Sequence, residues 1–318
     1  MKNQQGFSLI ELMISMTIGL VIIGAAMLAY LGSSNASRAA SEQAQMDETA
    51  QAALNILSQQ IKLAGANPVQ ASRTEEFRRN PVFDTTYVGG TSTAYTSTVY
   101  TVTPTTYVRS PYAIRGCDGT FSNVTSAASI NALTCAGNST AADSVAISYE
   151  ADRYNTAPTT GNLPTDCVGG ALNAVSITAP FTATFYVADN RFYIANSNAG
   201  TPNLYCKGSS SATQPLIENI EDLQISYGAV SSTNTTANAS VAGYLTSDEL
   251  TTLGGGATWW GRVITVRICI VVRSENAVTS DLSSNSYYRC DGTLDSTTND
   301  NRLRHAYSTT VVLRNRRS

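Results

Sequence analysis

The strongest pattern of hydrophobic and polar positions is an apolar run from Phe7 to Leu31, in which Glu11 is the only charged residue. At a rise of about 1.5 Å per residue, a helix of this length can cross the hydrocarbon core of a bilayer. Lys2 is the one basic residue before the run, and no charge follows it before Arg38. This weak positive bias predicts a cytoplasmic N-terminus and an exterior location for the rest of the chain.

A secretory signal peptide is the competing interpretation of the run, with Ala25-Ala26 or Ser33-Ser34 as the cleavage site. Such peptides have a short apolar stretch, whereas this run is long, contains a carboxylate and continues into a further helical pattern. A carboxylate inside a membrane segment is costly and indicates a functional residue with a partner. The pattern therefore favours a retained membrane helix.

A second helical pattern follows the apolar run without an intervening proline. Its apolar positions recur at intervals of three and four, as on one face of an amphipathic helix, and are Ala50, Leu54, Leu57, Ile61 and Ala64. Gly65 and Pro68 are a helix stop signal. One continuous helix from Phe7 to Ala64 is predicted, with Gly19, Gly24 and Gly32 as its intrinsic weak points.

The segment Gly6-Phe7-Ser8-Leu9-Ile10-Glu11-Leu12 resembles the type IV prepilin motif, in which a short basic leader ends in glycine. The resemblance implies that residues 1–6 are a leader, which a prepilin peptidase removes between Gly6 and Phe7 before it N-methylates Phe7. It also implies that Glu11 neutralises the amino group of a neighbouring subunit. Opposite charges attract strongly in a low-dielectric bundle, and losing one of them leaves the other stranded.

The composition changes after Pro68 to Ser, Thr, Asn, Gly and Tyr, with short β-like runs between turn residues. The expected fold class is α+β, and the prepilin resemblance implies that it is type IV pilin-like. The expected parts are a transmembrane helix (7–31), an amphipathic helix (32–66) and a β-rich exterior domain (67–318) rich in antiparallel sheet.

Six runs are candidate strands, two of them paired as a hairpin, and Leu216, Ile217 and Ile220 predict one helical turn before the run that begins at Leu223. Val263 to Val272 is nearly continuous in apolar and β-branched residues, which predicts a central strand. The stretches Gly89–Thr106 and Ser231–Ser240 and the triplet Gly254-Gly255-Gly256 are expected to be loops, although Tyr95–Tyr107 could also be an edge strand. The candidate strands are Ser144–Tyr149, Phe181–Val187 turning at Ala188-Asp189-Asn190 into Phe192–Ala195, Leu223–Tyr227, Val263–Val272 and Tyr307–Leu313.

All six cysteines follow the membrane segment, so disulfides are expected in an oxidising compartment. Six cysteines allow 15 pairings, which the sequence alone does not resolve. Pairing neighbours along the chain is one choice, and each bond would then contribute about 3 to 4 kcal/mol in the chain-entropy model. These pairs are Cys117 with Cys135, Cys167 with Cys206, and Cys269 with Cys290.

Catalytic, metal and nucleic-acid functions find little support in the residue types. His305 is the sole histidine and has no nucleophile motif, which argues against a hydrolase and, with the cysteine spacing, against zinc. Asp291, Asp295 and Asp300 could offer oxygens to calcium, but such runs are usually turns. No enzyme activity, cofactor or metal is therefore predicted.

Two further groups, a basic C-terminus and a tryptophan pair, allow more than one interpretation. The arginines from Arg302 to Arg317 are locally basic, but the net charge of −3 argues against nucleic-acid binding. Of the adjacent Trp259 and Trp260, which would face opposite sides of a strand, one is expected in the core and the other at a contact surface.

The long helix, the segment Leu216–Tyr227 and the ending Tyr307–Asn315 resemble PilW-type minor pilins of the type IV pilus. The resemblance implies a subunit that joins other minor pilins in the inner membrane, primes a fibre of major pilin and stays at its tip, with a PilY-type adhesin as a further partner. Twitching motility, adhesion and DNA uptake would follow from it. A GspJ-type pseudopilin of a type II secretion system and a ligand-binding tip module remain alternatives.

Overall fold

One long helix, two antiparallel sheets, a small hairpin and three short helices make up the regular structure of the described part of the chain. The computed structural model describes residues 8–68, 82, 102–103, 112–127, 129–177, 183–210, 213–230, 241–253, 257–278, 286–297 and 300–315. Gly6, Phe7, the loop expected at 231–240 and the glycine triplet at 254–256 lie outside these residues, as does nearly all of the stretch 89–107.

The long helix, α1, spans Leu9–Leu63, so the predicted uninterrupted helix is confirmed over the described residues. Ser8 precedes it in an extended conformation, and Ala64 closes its last turn by donating its N–H to the carbonyl of Ile61. Gly65 follows with φ 73, a left-handed conformation that glycine adopts without steric cost. The helix therefore ends where the glycine signal predicts.

The first sheet has seven strands built around a long central strand, β5, which spans Ala183–Asn196. One side of β5 pairs with β3, and the other side pairs first with β4 and then with β6. The remaining pairs are β2 with β3, β1 with β4 and β7 with β6, all antiparallel. The strands are β1 (Val102–Thr103), β2 (Ile114–Cys117), β3 (Ser144–Ala151), β4 (Ala174–Ile177), β6 (Pro202–Lys207) and β7 (Thr213–Glu218).

The second sheet has four strands in the order β13-β10-β8-β9. The predicted central strand is confirmed, because β10 pairs with β8 on one side and β13 on the other. Two short helices, α2 (Ser247–Thr252) and α3 (Ala257–Trp260), lie between β9 and β10, and β11 (Tyr287–Tyr288) pairs with β12 (Leu294–Asp295) in a separate hairpin. The strands of the sheet are β8 (Ile220–Val230), β9 (Val241–Leu245), β10 (Val263–Arg273) and β13 (Arg304–Val312).

The hairpin predicted to turn at residues 188–190 is wrong, because β5 continues through these positions as one strand. The polar side chains that suggest a turn have partners inside the fold instead. Asp189 pairs with Arg191 at 3.0 Å, and Arg191 also donates to the carbonyls of Val124 and Ala127. Asn190 donates to Gln60 of α1 at 2.9 Å, so the strand can stay extended with its polar groups satisfied.

The helical turn predicted from Leu216, Ile217 and Ile220 is also wrong. The first two belong to β7 and the third begins β8, with Asn219 between them at φ 61. Pairing with β6 supplies a ladder of hydrogen bonds to this segment, whereas a single isolated helical turn carries the full cost of nucleation.

Trp259 and Trp260 lie in the short helix α3 and not in a strand. Trp260 is buried and meets the ring of Tyr227 edge-on at 4.8 Å, whereas Trp259 is partly buried beneath the guanidinium of Arg262 at 4.9 Å. Trp260 is thus the core residue of the pair.

The core lies between the second half of α1 and the two sheets, which together with their loops (residues 102–315) are called the head below. α1 contacts β3 and β7 of the first sheet and β10 and β13 of the second. Its buried apolar stripe includes two alanines, whose small side chains let the strands approach the helix closely. The stripe consists of Met46, Ala50, Ala53, Leu57 and Ile61.

Candidate functional site: the uncovered half of the N-terminal helix

The first half of α1 presents large apolar side chains to its surroundings on all sides. Every large apolar residue from Leu9 to Leu31 that lies on this segment is more than half exposed, as Leu20 (74%) and Leu28 (73%) illustrate. The segment is long and apolar enough to span a membrane, and none of its most apolar window is buried by the head. An exposed apolar surface of this extent indicates a membrane or protein contact.

Glu11 is the one carboxylate on this surface, in the first turn of α1. The backbone N–H of Ser8 donates to its Oε2 at 3.4 Å. No cationic side chain among the described residues pairs with this carboxylate. Two other polar side chains of the segment are satisfied within the helix, since Ser15 donates to the carbonyl of Leu12 and Thr17 to that of Ile14. Glu11 is therefore the group on this surface that is available to an external cation.

The head covers α1 only from Glu42 onward, and the first contacts that it makes are polar. The side chain and backbone N–H groups of Asn276 donate to the carboxylate of Glu42, and the hydroxyl of Tyr307 donates to Asp47. None of these four residues was predicted from the sequence as part of a contact. Glu42 lies four residues before Met46 and therefore on the same face of α1 as the buried stripe. A carboxylate on that face is the sequence feature that could have indicated a polar contact with the head.

Three disulfides fix loops of the head to its sheets, and they pair the cysteines that are neighbours along the chain. Cys117 ends β2 and closes the loop up to Cys135, while Cys206 in β6 holds the loop that contains Cys167. Cys269, in the middle of β10, holds Cys290 in the turn between β11 and β12. No cysteine is free among the described residues.

A buried carboxylate links the two sheets at the start of β3. Asp143 accepts hydrogen bonds from the backbone N–H of Ile225 in β8 at 2.7 Å and from that of Gly119 at 3.0 Å. Loss of hydration is the largest effect on this group and raises the pKa of Asp143 to about 7, although the two N–H donors act in the opposite direction.

The other candidate residues are engaged in structural contacts. His305 is exposed near the start of β13, with its ring edge-on to Tyr307. The three carboxylates considered for calcium have separate partners: Asp291 accepts from Thr293, Asp295 from Arg289 and Thr297, and Asp300 from Arg304. Within the described ranges, no group of three His, Cys, Asp or Glu side chains is placed to hold a metal ion.

The basic C-terminal region is partly neutralised. Arg304 binds both Glu221 and Asp300, and Arg302 donates to the carbonyl of Ser274 and lies near Asp300. Arg314 is exposed, and Arg316 and Arg317 lie outside the described residues. These ion pairs leave few unpaired cations for a nucleic-acid backbone in this part of the described surface.

Comparison with known proteins finds two family models that match parts of this chain. Residues 191–315 match the family model described as type IV pilus-assembly protein W (PilW), and residues 1–27 match the prokaryotic N-terminal methylation motif. The chain is thus similar to PilW-type pilus-assembly proteins over residues 191–315 and to proteins with the N-terminal methylation motif over residues 1–27. The expected PilW-type resemblance is thereby confirmed, as is the α+β fold with a long N-terminal helix, antiparallel sheets and disulfides.

Among solved structures, the type IV-like pilin TTHA1219 from Thermus thermophilus is similar at 14% identity, with a TM-score of 0.23. The alignment covers 56% of this chain and 81% of the Thermus chain. A search of curated proteins finds no match.

Proposed function

We propose that this pilin-like chain is a minor pilin that primes type IV pilus assembly and remains at or near the pilus tip. The observation that carries the proposal is the division of α1 into two halves, one uncovered and apolar and the other packed on the head. A surface that suits lipid tails also suits the apolar helix of a neighbouring subunit, where close packing replaces lipid. The same segment can therefore hold the chain in the inner membrane and later join a helical bundle.

Maturation at the N-terminus precedes assembly in this proposal. A prepilin peptidase cuts between Gly6 and Phe7 and methylates Phe7, and the carboxylate of Glu11 then binds the amino terminus of an adjacent subunit. Support comes from the match to the methylation motif and from the position of Glu11 in the first helical turn. The head faces the periplasm before assembly and the cell surface afterwards, and no bond chemistry follows maturation.

The proposed partners are other minor pilins, the major pilin and a PilY-type adhesin. Because the apolar halves of pilins are alike in chemistry, specificity is assigned to the head. Twitching motility, adhesion and DNA uptake would be consequences of having a fibre at all, and the chain would act on them only through assembly.

Co-purification tests the proposal. The chain lacking residues 7–31 is mixed with the corresponding form of each candidate minor pilin, and with a pseudopilin of a secretion system as the matched comparison. Stable complexes with minor pilins alone are expected. Binding to secretion pseudopilins alone would favour the GspJ-type alternative, and binding to a surface glycan or DNA without any pilin would favour a tip receptor.

A further inference from the structure

The helix and the head of this chain meet first through hydrogen bonds and only then through apolar packing. Glu42 is the first buried residue of α1, with 9% of its surface exposed, and the apolar stripe begins one turn later at Met46. From Gly32 to Ser41 the helix has only small or polar residues and Arg38, and the head buries none of them. The neck of the molecule is therefore polar.

Glu42 meets two hydrogen-bond donors on the head. Its Oε1 accepts from the side-chain amide of Asn276 at 2.8 Å, and its Oε2 from the backbone N–H of the same residue at 3.3 Å. The loop behind Asn276 is braced, because the hydroxyl of Ser274 donates to the carbonyl of Asn276 and Arg302 donates to that of Ser274. A carboxylate held by two donors on a fixed loop has little freedom to shift.

Asp47 makes the second contact, about one and a half helical turns later. The hydroxyl of Tyr307 in β13 donates to its Oδ1 at 2.5 Å, and Gln43 donates to the same oxygen at 3.1 Å. Burial, and then the neighbouring carboxylate, raise the pKa of Tyr307, so its hydroxyl stays protonated and remains the donor.

Two hydrogen-bonded contacts on different parts of the head constrain the orientation of the head relative to α1. Apolar packing constrains this orientation only through the shapes of the surfaces. Hydrogen bonds weaken steeply when their angle changes, whereas burial of apolar surface has no direction. Below the neck the apolar stripe packs by shape, and a further hydrogen bond, from Asn190 to Gln60, lies near the other end of the helix.

We propose that the contacts Glu42–Asn276 and Asp47–Tyr307, called the neck latch below, set the angle of the head relative to α1. The four residues are positioning residues for assembly, because the angle decides which face of the head meets the next subunit once α1 has joined a bundle. This inference rests on the proposed function for its consequence in the fibre, but the angle itself is measurable in the isolated chain.

The test measures a distance in the full-length chain in detergent. Nitroxide labels are attached to cysteines introduced at Ser37 on the exposed neck and at Leu294 on the exposed β11–β12 hairpin. The six native cysteines are all in disulfides, so the added thiols are the ones available for labelling. Pulsed electron paramagnetic resonance then reports the distribution of the label-to-label distance.

A single narrow distribution is expected for the chain with an intact latch, and a broad or displaced one for Glu42→Ala combined with Tyr307→Phe. Asp47→Asn keeps an oxygen acceptor for the Tyr307 hydroxyl and is expected to preserve the narrow distribution. Glu48→Gln is the matched control, since it removes a carboxylate from an exposed position on the same turn. Should the double variant fail to accumulate, Tyr307→Phe alone retains the ring and answers the same question.

Incorporation into fibres is measured in parallel in cells, and a several-fold loss is expected for the latch variant at an unchanged level in the membrane. An unchanged distance distribution in both the double and the single variant would overturn the proposal, whatever happens to the fibres. Failure of the unmodified chain to enter any fibre would instead contradict the proposed function and leave the distance result intact.

Discussion

At the scale of single residues, the chain places a carboxylate where burial works against its charge. Asp143, just before β3, accepts from the backbone N–H groups of Ile225 in β8 and of Gly119, and yet its pKa is raised to about 7 because it is shielded from water. Its folded pKa lies above its unfolded value, so the stabilising contribution of the neutral acid is present below about pH 4 and is lost as the pH rises through 7.

Asp143→Asn is expected to remove this pH dependence. For the unmodified chain, the free energy of unfolding should fall between pH 4 and pH 7 by up to about 1.4 kcal/mol per pH unit from this group. The amide cannot ionise, so the variant should show a flatter profile, measured as urea midpoints over the same range. Glu48→Gln, at an exposed site, should leave the slope as it is; equal slopes for all three chains would contradict the assignment to Asp143.

At the scale of elements, the difference between the two halves of α1 predicts two outcomes for one substitution. Leu57 is fully buried between α1 and the sheets, so Leu57→Ala should lower the free energy of unfolding of the head by about 2 to 5 kcal/mol. Leu28 is 73% exposed, and Leu28→Ala should leave it unchanged. Chemical denaturation of both variants in detergent checks this, and equal losses would show that the head covers more of the helix than described.

The disulfide between β10 and the β11–β12 hairpin is the second element whose removal has a defined effect. Replacing Cys269 and Cys290 with serine frees a loop of 21 residues in sequence separation, which the chain-entropy model values at about 3 kcal/mol. Faster hydrogen exchange should accompany this loss and be confined to residues 286–297. Uniformly faster exchange across both sheets would mean that the bond supports the whole head.

Elements with one strong pattern of apolar residues could be predicted from the sequence. Elements whose conformation depends on hydrogen-bond partners elsewhere in the fold could not. Most of the α1 stripe follows from apolar spacing, although Leu54 is only partly buried and Ala53 is buried instead, and β10 follows from its continuous apolar run. Asp189 and Asn190 suggest a turn because the sequence does not show that Arg191 and Gln60 will satisfy them. The neck latch could not be predicted from the sequence for the same reason, because Glu42 and Asn276 are 234 positions apart in the chain.

At the scale of the whole molecule, the stability of the head does not depend on the apolar segment of α1. The head is stabilised by three disulfides and by the core that it shares with the second half of α1, whereas the segment from Leu9 to Leu31 contributes none of the buried residues of α1. Changes in the apolar segment should therefore alter membrane insertion or assembly and leave the fold of the head intact.

Glu11→Val separates insertion from assembly. The variant keeps the leader and extends the apolar run, so peptidase cleavage and membrane insertion are expected to proceed as in the unmodified chain. Without the carboxylate, the amino terminus of a neighbouring subunit would be left uncompensated in the bundle, which is costly in a low-dielectric environment. The amount of the variant in sheared fibres should therefore fall strongly, measured by immunoblot against the amount of processed chain in the membrane.

Ile14→Val, one turn further along the same exposed surface, is the matched control and should assemble normally. Fibres that contain Glu11→Val at the level of the control would remove the proposed role of this carboxylate in subunit register.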